Sequence, residues 1–289
     1  MVMMRVASCA LIVVLLTCGL VPAVSAEQSY PITADGKSLS KPWDHSDQGP
    51  WERGLRILGD DALYLATSPF RLTPEGLLIT GLIVAKVAGV AVGDKTIRRE
   101  VRDRRHDTVY HVADGVTQLG NAPVLFGLNV GFILTGELIR QYNGDSVILD
   151  AALAATEAQI LAAAFTEGIA YATARTGPSS KNDPFKFKFG ESSFPSAHTS
   201  QAFAVATVLN DRFDQPVGVL AYTLAGAVGL SRIVLDKHWA SDVVGGAALG
   251  WAIGHAISRR RKEDAPYLNF FPFVEPGTHT YWFMLSGGF

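Results

Sequence analysis

The chain has 289 residues, of which 48% are apolar and 18% charged. That mixture can bury a sizeable core, and it excludes a disordered or low-complexity polymer. Twenty-five Lys and Arg stand against 27 Asp and Glu for a net charge of −2, so no basic excess exists to hold a phosphate backbone and nucleic acid is excluded as a partner.

Residues 1–26 read as an export signal, with Arg5 at the start, an apolar run over 11–16 and a small-residue cleavage site at Val24-Ser25-Ala26. Both cysteines, Cys9 and Cys18, fall inside it. The mature chain is therefore expected to hold no disulfide, no Cys-ligated metal and no thiol nucleophile. Residues 27–72 form a turn-rich extension containing Pro31, Pro42, Pro50 and Pro69, with one short amphipathic helix expected over 51–67.

From Thr73 the composition shifts to apolar helical blocks, expected at 74–93, 121–139, 147–174, 197–211, 216–233 and 240–258. Thr73-Pro74-Glu75 opens the first with a capping hydroxyl, proline at the first helical position and an early carboxylate. No strand alternation interrupts the region, so residues 73–262 are expected to form an all-α domain with a six-helix core. The cluster Lys95, Arg98, Arg99, Arg102, Arg104 and Arg105 reads as a basic loop. In the last block Gly246, Gly250 and Gly254 recur every four residues, which predicts close backbone packing. Arg259-Arg260-Arg261-Lys262 reads as a solvated helix end or a lipid-headgroup contact. Residues 263–289 are expected to form a C-terminal aromatic hairpin about Pro276-Gly277, a type II turn.

Crossing a membrane takes about 20 mainly apolar residues. The block over 77–92 is short and carries Lys86, the third holds Asp150, Glu157 and Glu167, and the fifth covers only 217–230. Six crossings would also turn the site described next toward the cytoplasm, against a cleaved signal. The expectation is a compact exported bundle that touches a membrane without spanning it, with its site on the extracytoplasmic side.

Two clusters carry chemistry. Pro195-Ser196-Ala197-His198 opens a helical block, so free backbone N–H groups and a serine hydroxyl face an anion there. Farther on, Ser231-Arg232 is followed by His238 and Asp242. At four residues apart on a helix face, Asp242 would accept a hydrogen bond from one His238 ring nitrogen and leave the other nucleophilic. Arg232 can fork onto two oxygens of a phosphate.

These residues resemble the second and third signatures of the type 2 phosphatidic acid phosphatase superfamily, which also holds bacterial non-specific acid phosphatases and vanadium haloperoxidases. The resemblance covers residues 74–258, with Ala197 where the family usually has glycine. It implies a metal-independent phosphomonoesterase with no cofactor, acting on a lipid phosphate or related ester. His238 would be the nucleophile that becomes a phosphohistidine, Asp242 its orienter, and His198 the acid and then the base. Arg232, Ser196, Ala197 and Ser231 would hold the phosphate. The family's first signature is incomplete, since Ala170 and Gly177 stand where its Lys and Arg belong. Arg175 is expected to take over part of that role, and Lys181, Lys186 and Lys188 are weaker substitutes. A catalytically weak member that binds phosphate or lipid headgroups is one alternative, and a soluble non-specific acid phosphatase is another.

Overall fold

A computed structural model describes residues 50–262, apart from 72, 181 and 214, together with the backbone of Tyr267–Val274 and Tyr281–Gly288. The expected export signal, most of the extension and the turn at Pro276-Gly277 lie outside the described residues. The backbone of the two C-terminal segments is antiparallel, with Tyr267 opposite Gly288 and Val274 opposite Tyr281.

The described helices are α1 (Pro50–Thr67), α2 (Pro74–Asp103), α3 (Asp107–Thr117), α4 (Ala122–Asn143), α5 (Val147–Thr173), α6 (Ala197–Arg212), α7 (Val217–Val234) and α8 (Ala240–Lys262). Short 3₁₀ turns follow α1 and α3. The start of α2 is as its sequence dictates: Pro74 occupies the first turn, and Thr73 Oγ1 accepts from the Gly76 amide at 3.1 Å. Gly144, in the left-handed region at φ 81°, ends α4.

Three expectations need correction. The basic stretch over 95–103 is not a loop but the last turns of α2, which runs 30 residues because Arg98 reaches Asp236 with two bonds of 2.6 Å and is held against the bundle. The 11-residue helix α3 lies where no block was expected, being shorter than the apolar blocks around it. Finally, α2 and α4 outrun their apolar blocks, while α5 and α7 keep close to theirs. Four of them, α2, α4, α5 and α7, are long and apolar enough to cross a membrane, with mean hydropathy from 1.5 to 2.0. Large apolar side chains on their outer faces, such as Leu78, Leu138, Leu220 and Leu230, are exposed. The length objection to spanning therefore fails, and the protein is built for membrane association.

At the centre stand α5, α6 and α8. Ala154, Ala158, Leu161, Ala204, Val208, Leu249 and Ile253 from these helices form one buried cluster, joined by Leu65 of α1 and Val87 of α2. The glycines of α8 explain the intimacy. A Cβ at Gly246, Gly250 or Gly254 would lie 2.6, 2.1 or 2.5 Å from the carbonyl oxygens of Ser196, Ser200 and Ala204, so the backbones of α8 and α6 are in contact. At the basic end of α8, read as a solvated end or a lipid-headgroup contact, two arginines are instead paired inside the bundle. Arg261 is buried against Glu157 of α5, and Arg260 pairs with Asp61 of α1 and lies 4.4 Å over the Tyr64 ring.

Gly250→Ala should destabilise the protein by about 1–3 kcal/mol through overpacking against backbone that cannot retreat. Gly226→Ala on α7, where a Cβ meets nothing within 4 Å, should be neutral or stabilising. Thermal unfolding in detergent reads both, and equal losses would refute the contact.

Candidate active site

The site lies where α6 and α8 begin and α5 and α7 end. Asp242 is its junction. The fully buried carboxylate accepts from Arg175 Nη1 on Oδ1, and on Oδ2 from Ser193 Oγ at 2.6 Å and the Trp239 amide at 2.9 Å. The last bond is the backward half of a capping box, with a third-position carboxylate satisfying the amide just before the helix. Arg175 is spent in the same network. It donates to the Pro184 carbonyl at 2.8 Å, to Ser241 Oγ at 2.7 Å and to Asp94 Oδ2 at 2.8 Å, as well as to Asp242. The expectation that Arg175 would serve as a free phosphate-binding cation is thus corrected: two buried carboxylates hold it.

His238 is not on a helix face. It sits in the turn between α7 and α8, where Asp236 adopts φ 58°, a left-handed conformation that aspartate tolerates better than most residues. Its Nδ1 lies 2.8 Å from the Ser193 carbonyl and 3.7 Å from Asp242 Oδ2. The expected hydrogen bond to Asp242 is therefore replaced by one to a backbone oxygen, because the turn carries the ring toward the segment before α6. A carbonyl only accepts, so Nδ1 carries the hydrogen and Nε2 keeps its lone pair.

His198, in the first turn of α6, is half-buried. Burial pushes its pKa down to about 4, and the nearby charges of Arg232 and His238 push the same way. The loop before α4 closes over His198: a Cβ at Gly120 would sit 3.2 Å from His198 Cβ and 2.3 Å from Val228, so only glycine fits. Arg232 donates from Nη1 to Thr117 Oγ1 at 2.9 Å, while its buried Nε has no partner among the described residues. An orphaned guanidinium donor beside two imidazoles is suited to an oxyanion. Ser196, buried just ahead of α6, accepts from Thr199 Oγ1 at 3.0 Å and keeps its own hydrogen to donate; the Ala197 amide begins the helix beside it. Ser231 spends its hydroxyl on the Val228 carbonyl at 2.6 Å, a helix-internal bond. Lys186 and Lys188 are exposed, and Lys181 lies outside the described residues.

Sequence reasoning missed Asp94, Thr117, Gly120 and Ser193. Of these only Asp94 left a trace, an acidic side chain at the end of an apolar helical run.

Residues 151–265 match the model of the PAP2 superfamily. Lipid A 1-phosphatase of Porphyromonas gingivalis is 41% identical over 80 residues, 24% of this chain and 18% of that protein. Decaprenylphosphoryl-5-phosphoribose phosphatase of Mycobacterium tuberculosis is 38% identical over 65 residues, 22% of this chain and 35% of that protein. The matched segments thus span well under half of either relative. Two solved structures are similar at 22% identity. A transmembrane PAP2-type phosphatidylglycerolphosphate phosphatase from Bacillus subtilis has a TM-score of 0.48, over 63% of this chain and 95% of that one. LpxE of Aquifex aeolicus has a TM-score of 0.42, over 57% and 93%. The matched residues 151–265, which carry His198, Arg232, His238 and Asp242, are thus similar to the PAP2 superfamily over part of the chain.

Proposed function

We propose that the protein is a phosphoric monoester hydrolase acting on a lipid phosphate, with residues 73–262 as its phosphatase-like domain and an aromatic hairpin over residues 263–289. The observation that carries this reading is the grouping of Arg232, whose buried Nε is unpartnered, with His198 and His238, whose Nε2 is free. Nε2 of His238 attacks phosphorus while the bond to the leaving alcohol oxygen breaks, and that oxygen takes a proton from His198. The product is a phosphohistidine whose positive ring is steadied by Asp242. Water, losing a proton to the now neutral His198, then displaces histidine and releases phosphate. Arg232, Ser196 Oγ and the Ala197 amide hold the equatorial oxygens, where charge spreads in the transition state. The apolar outer faces of α2, α4, α5 and α7 favour a membrane-borne substrate over a soluble one.

A second reading, phosphate binding without turnover, is favoured by one observation. Ala170 and Gly177 replace family cations, and the neighbouring Arg175 is engaged by Asp94 and Asp242.

Dodecyl phosphate hydrolysis separates the two readings. With purified protein, His238→Ala should fall to the uncatalysed blank and His198→Ala by about 10²–10⁴-fold; a wild-type protein that binds the phosphate but turns nothing over would favour the second reading. The depressed pKa of His198 sets a pH dependence. The free site holds a neutral ring down to pH about 4, and a bound dianion favours its protonation. Binding therefore takes up a proton, and affinity rises as pH falls from 7 toward 4. Sulfate, whose own charge does not change over this range, should bind tighter by up to about tenfold per pH unit, with a shallower slope in His198→Gln. A flat wild-type profile would contradict the assignment. We further propose that the site opens on the extracytoplasmic side, which an export signal permits where α2 does not carry the chain across the membrane. Lys188, exposed at the site end of the bundle, can report this in a chain whose own two cysteines precede residue 27. Lys188→Cys should react with a membrane-impermeant maleimide in intact cells. Reaction only after lysis would reverse the orientation and match the basic last turns of α2 lying inside.

A further inference from the structure

An apolar cleft of about 500 Å³ lies between α4, α6 and α7, walled by Leu125, Phe132, Val205, Leu209, Leu224 and Val228 among others. Its upper end reaches the catalytic space. Val228 packs where a Cβ at Gly120 would touch both it and His198, and Arg232 lies one turn farther along the same face of α7. A single lining residue has a polar side chain: Asn129 of α4, 4% exposed.

The orientation of that amide is fixed by a chain of bonds. Gln159 Nε2 donates to the Ala122 carbonyl at 3.2 Å and to Gln201 Oε1 at 3.3 Å. A backbone carbonyl only accepts, so the Gln159 amide cannot be turned over, and its Oε1 must be the atom facing Asn129. Asn129 therefore meets it with Nδ2, at 2.8 Å. This leaves Asn129 Oδ1 as an acceptor turned away from the network, with no donor among the described residues. A hydrogen-bond acceptor in an otherwise apolar cleft costs free energy unless a ligand meets it, and such lone polar groups set the specificity of apolar pockets.

We propose that this cleft holds the hydrocarbon chain of the phosphate substrate, and that Asn129 Oδ1 accepts a hydrogen bond from a hydroxyl or amide N–H borne on that chain. The inference rests on the phosphatase reading only for where the phosphate lies. Asn129 is seven residues beyond Ala122, about 10 Å along α4, so the donor belongs several carbons along the chain from the phosphate. An unadorned alkyl or isoprenyl chain fills the cleft and leaves the acceptor unmet.

The test uses the full chain in detergent micelles and dodecylphosphonates, which cannot be hydrolysed, with one hydroxyl moved a carbon at a time along the chain. Titration calorimetry should find one position, or two neighbouring ones, bound about threefold to tenfold tighter than unsubstituted dodecylphosphonate. Asn129→Leu should erase that preference while binding the unsubstituted compound at least as well. A series without preference in the wild type overturns the inference, whether or not the variant folds. Hydrolysis of dodecyl phosphate is followed in parallel. A hydroxyl preference without hydrolysis would fault the phosphatase reading alone, and hydrolysis without a preference would fault this inference alone.

Discussion

The buried carboxylate of Asp242 is the constraint on which the site depends. It ties the start of α8 to Arg175 beyond α5 and to Ser193 before α6, while Arg175 extends the tie to Asp94 of α2. Four segments distant in sequence are thereby fixed by one carboxylate and one guanidinium. Such a network is expensive to half-build, because any missing partner strands a buried charge. Two carboxylates around one arginine also leave the cluster short of positive charge.

The two arginines near the site divide the work by burial geometry. Arg175 has its donors met by protein, whereas Arg232 has one bond to Thr117 and an unmet Nε. From sequence alone either could have served the phosphate. Only the acceptors around each decide, and these include Asp94 of α2 and Asp242 of α8 for Arg175 and Thr117 of α3 for Arg232, far away in the chain.

The legible part of the fold was the part whose cause is local. The cap at Thr73-Pro74, the glycine stripe of α8 and the helical character of 74–258 follow from short-range rules, as does the placing of His198 at a helix start. What could not be read was set by tertiary contact. Arg98 extends α2 by reaching Asp236, and the ring of His238 goes to the Ser193 carbonyl because a left-handed Asp236 turns the chain before α8 begins. The four-residue spacing of His238 and Asp242 gave the right pair for a mistaken reason: they are close, at 3.7 Å, but through a turn and not along a helix face.

The contact of α6 with α8 has a mechanical consequence. Main chain rests on main chain there, with no pliable side chain between, so the two helices behave as a single stiff strut. His198 rides on one member and His238 is fastened just ahead of the other, which makes the gap between the imidazoles insensitive to strain elsewhere. A bilayer that thins or thickens would be accommodated first by α4 and α7, whose outer faces meet the surrounding medium through long aliphatic groups. The two imidazoles would keep their spacing while the walls of the apolar cleft yield.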